Sequence, residues 1–160
     1  MKILLLDPQR KVSHRISKDT SGGYGTGNDF GDTLVPNALK YLIKKNSHWP
    51  PMHAVYTYAV LEKKGHQVIY KEELPDDFMS YDLFIIVSSI VCCETEIEII
   101  KLLKSNSKKI FVIGPFATNI PKKYYEAGAS VISGESEFYF LGNKKFEEDL
   151  NKEIIKFNHD

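Results

Sequence analysis

Four short segments of this 160-residue chain carry groups able to meet a ligand. Ser88-Ser89-Ile90 sets two hydroxyls side by side. Gly114-Pro115-Phe116-Ala117-Thr118 pairs small residues, which let a flat ligand approach the main chain closely, with a stiffening proline. Gly134-Glu135-Ser136-Glu137 brings carboxylates that can accept hydrogen bonds from a hydroxyl or an amide. Asp7-Pro8-Gln9-Arg10 is the fourth. Each of the first three also has a plainer reading. Ser88 and Ser89 can cap a following helix, Gly114-Pro115 can be a simple turn, and Glu135 and Glu137 suit a first helical turn on dipole grounds.

Other chemistries find no support in the residues. Gly22-Gly23-Tyr24-Gly25-Thr26-Gly27 has the composition of a phosphate loop. It does not follow a strand directly, and no GKS or GKT comes after it. It reads instead as part of a lid or domain-contact loop between Gln9 and Asp32, longer than connections in compact domains usually are. The histidines, His14, His48, His53, His66 and His159, do not pair at metal-ligand spacing. Cys92 and Cys93 are adjacent, so they suit buried thiols of a reducing compartment better than a disulfide. A phosphoacceptor aspartate would stand where Val87-Ser88 does. A flavin phosphate loop would replace Asp7-Pro8-Gln9-Arg10. No G-x-S-x-G elbow occurs.

The elements that must position these segments alternate. Apolar runs at Ile3 to Leu6, Val68 to Tyr70, Leu83 to Val87, Ile110 to Ile113 and Ser130 to Ile132 predict five strands, the central ones covered on both faces. Val35, Ala38, Leu39, Leu42 and Ile43 predict an amphipathic helix capped at Asp32-Thr33. Met52, Val55, Tyr56, Ala59 and Val60 predict the apolar stripe of a second, closed by Gly65. Helices are also expected at Thr95 to Lys104 and Pro121 to Glu126. This pattern predicts an α/β fold: a flavodoxin-like (Rossmann-like) five-stranded parallel sheet of order 2-1-3-4-5 with helices on both faces. Ligands of such sheets bind outside the carboxyl ends of the strands, where the four segments fall. Residues 1–140 are expected to form the domain, and 141–160 a C-terminal helix or the start of a linker.

Lysine plus arginine is 21 and aspartate plus glutamate is 21, so the net charge is zero. That balance points to no nucleic-acid or polyanionic-membrane partner. The run Ile3 to Leu6 is too short for an export signal, and no stretch approaches the roughly 18 apolar residues of a membrane span. A cytoplasmic protein is expected.

Taken in order, several segments resemble the N-terminal cobalamin (B12)-binding domain of B12-dependent radical S-adenosylmethionine (radical SAM) enzymes. They are Lys2 to Pro8; Trp49-Pro50-Pro51-Met52 running through Leu61-Glu62-Lys63-Lys64-Gly65-His66-Gln67-Val68; Asp82 to Ile90; Val112 to Thr118; and Gly134 to Glu137. The match spans about residues 2–140. Against the D-x-H-x-x-G, S-x-L and G-G pattern of classical B12 domains, Asp7 matches the first aspartate, Ser88 and Ile90 occupy the S-x-L positions, and Gly114 matches the first glycine of the pair. Gln9 replaces the cobalt-ligating histidine, Val12 the glycine, and Pro115 the second glycine of the pair. The resemblance implies a base-off corrinoid with no protein histidine on cobalt. It implies cofactor contacts from Gln9, Ser88, Ser89, Ile90, Gly114, Pro115, Phe116, Ala117, Gly134 and Glu135. Methyl transfer or other radical chemistry would belong to a separate catalytic domain holding a 4Fe–4S cluster and S-adenosylmethionine, because the three cysteines of C-x-x-x-C-x-x-C do not occur here. The departures at Gln9, Val12 and Pro115 leave open a flavodoxin-like interaction module that has lost its cofactor.

Overall fold

The structure, a computed structural model, describes residues 1–9, 33–46, 50–143, 146 and 154–156. The expectations for Gly22 to Gly27 and for the Asp32 cap lie outside the described residues. In chain order the elements are β1 (Lys2–Leu6), α1 (Leu34–Asn46), α2 (Met52–Lys63), β2 (Gln67–Lys71), β3 (Leu83–Val87), α3 (Cys93–Ser105), β4 (Lys109–Ile113), α4 (Pro115–Asn119), α5 (Pro121–Ala127), β5 (Ser130–Ser133), α6 (Ser136–Gly142) and β6 (Ile154–Lys156).

All strand pairs are parallel. The first five strands stand in the order β2-β1-β3-β4-β5, as the alternation predicts, with helices around them. One strand departs from expectation. Residues 154–156, expected in a terminal helix or linker, pair with β5 as a sixth strand. Among the described residues, the α-helical part of the tail is α6. Ile154-Ile155 is a two-residue apolar run among charged neighbours, too short to register as a strand until β5 supplies the partner.

The buried runs divide their side chains between two faces, as pleating requires. Ile3, Leu5, Ile85, Val87, Phe111 and Ile113 face α2 and α6. Leu4, Leu6, Phe84, Ile86 and Val112 face the other way, with Ile100 and Leu103 of α3 and Tyr124 and Ala127 of α5. On the first face Phe111 sits within aromatic edge contacts to Tyr139, Phe140 and Phe146, with ring centroids 6.2, 5.9 and 6.2 Å away.

Two expected helix faces differ. In α2 the buried residues are Ala54, Thr57 and Leu61, while Met52, Val55, Tyr56 and Ala59 are exposed. A helix apolar nearly all round offers no unique stripe, and Thr57 can be the buried choice because its hydroxyl pairs with Ser136 Oγ at 2.7 Å. In α1, Val35, Ala38, Leu39 and Leu42 turn to solvent. Among the described residues no helix is long and apolar enough to cross a membrane.

Candidate functional site

The ends of β4 and β5 and the start of α2 enclose a cleft of about 280 Å³. It is lined by His53, Gly114, Pro115, Thr118, Asn119, Gly134, Glu135 and Ser136. Parallel topology explains the meeting. A crossover helix begins at the same sheet edge at which its preceding strand ends, so the first turn of α2 lies beside the β4 and β5 loops.

Gly114 sets the floor. Its φ is +109°, a region that L side chains rarely adopt. A Cβ there would lie 3.0 Å from Ser88 Oγ and 3.1 Å from His53 Nε2. The bare backbone therefore lets the imidazole and the β3 loop close on the β4 turn. Thr118 ties the two glycine turns together. Its Oγ1 donates to Gly114 O at 3.1 Å and accepts the Gly134 N–H at 3.3 Å. Asn119 Nδ2 donates to Pro115 O at 2.8 Å. At Gly134 a Cβ would meet nothing within 4 Å, so the cleft is open on that side. Ser136 joins the wall to α2 through Thr57.

The expected residues thus separate into groups. Gly114, Pro115, Gly134 and Glu135 line the cleft. Ser88 and Ser89 lie behind it, buried. Ser88 Oγ accepts the Ala117 N–H at 3.0 Å, which locks the β3 loop to the β4 loop. Ala117 is fully buried, and Phe116 packs edge-on against Tyr124. Ile90 is 61% exposed. Gln9 sits at the other end of the sheet edge, where its Nε2 donates to Asp7 Oδ2 at 3.1 Å and its backbone N–H to Glu72 O. Asp7, fully buried, also accepts from Tyr70 Oη at 2.8 Å. An open hollow of about 580 Å³ lies beyond β2 on that side, lined by Tyr70 to Asp76.

Ser89 belongs to a buried network centred on Glu96 of α3. Glu96 Oε1 accepts the Ser89 N–H at 2.9 Å and the Ser89 hydroxyl at 3.1 Å. Its Oε2 accepts from Tyr124 Oη at 2.6 Å. Ser89 Oγ in turn accepts the Cys92 N–H at 3.1 Å, so this hydroxyl serves the turn into α3. Burial pushes the Tyr124 phenol far above its usual range, and the neighbouring Glu96 charge and hydrogen bond add to the shift. The network holds one wall of the loop cluster rigidly. Through Ser88 and Ala117 that wall continues into the cleft floor.

Of the other lining residues, Thr118 and Ser136 fall within the segments that the sequence offers, though not among the expected contacts, whereas His53 and Asn119 lie outside those segments. Only topology could signal His53, which lies two residues after a proline pair at the start of the β1–β2 crossover helix. Among the described residues no group of three His, Cys, Asp or Glu side chains gathers to hold a metal ion. No family model matches the chain, and comparisons with curated proteins and with solved structures find no match either.

Proposed function

We propose that this chain is the cobalamin-binding domain of a B12-dependent radical SAM protein. In this reading it is cytoplasmic and works with a radical SAM catalytic domain in the same or another chain. The observation that supports the reading is the cleft outside the ends of β4 and β5, walled by Gly114, Pro115, Gly134 and Glu135. Small-molecule sites usually enclose about 300–1,000 Å³. A cleft of about 280 Å³ suits one ring-bearing portion of a large ligand. The nucleotide tail of a base-off corrinoid is such a portion, and the resemblance of the Val112-to-Thr118 and Gly134-to-Glu137 segments puts it at these loops.

When bound, cobalamin supplies an alkyl group or a radical partner to chemistry that the catalytic domain carries out. The chain's own residues bind and orient. Gly114 keeps the floor free of a side chain. His53 and Glu135 offer polar groups at the rim, and Thr118 holds the two glycine turns at a fixed separation. Gln9 stands where the classical pattern has its cobalt-ligating histidine, and it is engaged with Asp7.

One observation favours the rival, an interaction module without cofactor. The Ser89 hydroxyl is committed to Glu96 and Cys92, and Ser88 Oγ to Ala117, so these serines already serve the fold.

The test is a cobalamin titration of the purified chain, followed by desalting and absorbance. A retained corrinoid with a base-off spectrum is the expected result. Asn119→Trp places a large ring on the exposed cleft wall without touching the core. It should weaken retention at least about tenfold, or 1.4 kcal/mol. A folded chain that retains no corrinoid, or a variant that retains it as well as the wild type, would overturn the reading.

A further inference from the structure

The polar groups around the cleft are of uneven kind. Its two hydroxyls serve the fold. Thr118 Oγ1 donates to Gly114 O and accepts the Gly134 N–H, and Ser136 Oγ shares a hydrogen bond with Thr57 Oγ1. Two groups at the rim are not spent in this way. Asn119 turns its amide nitrogen to Pro115 O at 2.8 Å. A carbonyl only accepts, so the nitrogen is fixed on that side of the amide and Oδ1 on the other. Glu135 is exposed and stands at the cap position of α6 without a capping hydrogen bond. Among the described residues its carboxylate takes part in no hydrogen bond or ion pair. Both Glu135 and Asn119 Oδ1 are therefore acceptors held at the rim. Among the described residues that line the cleft there is no lysine or arginine.

These acceptors discriminate between the parts of a ligand. A phosphate would meet the Glu135 charge with no cation beside it. A ring that carries an amino group brings N–H donors, and it can lie over the floor that Gly114 leaves bare. A ring edged with methyl groups would cover the same acceptors without bonding to them, which forfeits their hydration. We propose that the cleft selects an aminopurine ring such as adenine, with its amino edge turned to Glu135 and Asn119. For the molecule that carries the ring, this rests on the cobalamin reading. A corrinoid whose lower base is adenine is held in preference to cobalamin, whose lower base, 5,6-dimethylbenzimidazole, has two methyl groups and no N–H donor. A free adenine nucleoside brings the same ring, so both sources enter the test.

The experiment is a titration of the full chain with cobalamin and with its adenine-bearing analogue. Adenosine and the riboside of 5,6-dimethylbenzimidazole are titrated beside them as free ligands. The adenine-bearing corrinoid should bind at least about tenfold tighter than cobalamin, and adenosine tighter than the other riboside. Glu135→Ala should bring the ratio of the two corrinoid affinities close to one. Glu135→Gln, which keeps an acceptor oxygen, should hold part of the preference. The ratio is the readout because a damaged fold weakens both ligands alike. Residue 135 is exposed, so an unchanged circular dichroism spectrum is expected. Equal affinity for the two corrinoids, tighter binding of cobalamin, or a ratio that Glu135→Ala leaves unchanged would overturn the proposal and leave the cobalamin reading standing. If neither corrinoid binds, the cobalamin reading fails and the ribosides decide the base preference. Adenosine binding that Glu135→Ala abolishes then supports it, and no difference between the ribosides overturns it.

Discussion

Phe111→Ala is expected to lower the free energy of unfolding by about 3–5 kcal/mol, the usual cost of emptying an aromatic site in a packed core. Phe111 is fully buried at the centre of the sheet and touches the rings of Tyr139, Phe140 and Phe146. Those rings come from α6 and the tail, so the vacancy would open where three separate segments converge and none could easily collapse into it. Domains of this size are stable by about 5–15 kcal/mol, so the substitution would consume a large part of that margin. Urea denaturation of the two proteins measures it. The midpoint should fall with little change in slope. Tyr125→Ala, at a position of α5 that is 39% exposed, should cost much less, about 1 kcal/mol. A loss below about 1 kcal/mol for Phe111→Ala would mean the aromatic cluster is not tightly packed.

The second large effect is expected at Glu96. Removing its carboxylate strands the Ser89 N–H and the Tyr124 hydroxyl in the interior. Each buried unsatisfied group costs about 1–3 kcal/mol, so Glu96→Ala should destabilise by about 3 kcal/mol. Tyr124→Phe removes one bond to the carboxylate and should cost about 1.5–3 kcal/mol. This pair also predicts a pH dependence. The folded phenol is raised above the value of 10.0 that it has when unfolded. Above pH 10 the unfolded chain therefore releases a proton that the folded chain keeps. The stabilisation is complete below pH 10 and declines as pH rises beyond it, by about 1.4 kcal/mol per pH unit from this residue. Denaturation at pH 9, 10 and 11 should show the wild-type chain losing stability more steeply than Tyr124→Phe, by that increment. Equal slopes would place the proton elsewhere.

Much of the sheet can be read directly from the residues. Leu83 to Val87 is apolar at every position because β3 is covered on both faces, and its predicted and observed bounds coincide. The loops at Gly114 and Gly134 are likewise visible, because glycine after a buried strand marks a backbone turn that other residues resist. The helix faces are harder. Periodicity in α2 suggests Met52, Val55, Tyr56 and Ala59, yet the buried face is the one that includes a threonine, and only the distant Ser136 makes that burial favourable. Glu96 escapes notice for the same reason. A glutamate in a first helical turn looks like dipole compensation until Tyr124 and Ser89, 28 positions later and 7 earlier, are seen around it. His53 reads as an ordinary residue near a helix start, and only the crossover from β1 to β2 brings it to Gly114. Local pattern reports which residues are apolar. It does not report which polar residues have found partners far along the chain.

The sixth strand has a consequence for how the molecule behaves in a crowd. Without residues 154–156, β5 would present an open row of amide and carbonyl groups, with the apolar Val131 and Ile132 in the middle of it. Such a row is a template on which another chain can add itself. Of the described strands, β6 now forms that border, only three residues long and ending in Lys156, and the opposite border, β2, also ends in lysine. Short length and terminal positive charge are the means by which natural sheets discourage edge-to-edge growth. A chain cut after residue 143 should therefore form β-rich aggregates on concentration, whatever the state of its cleft, and light scattering against concentration would record the difference.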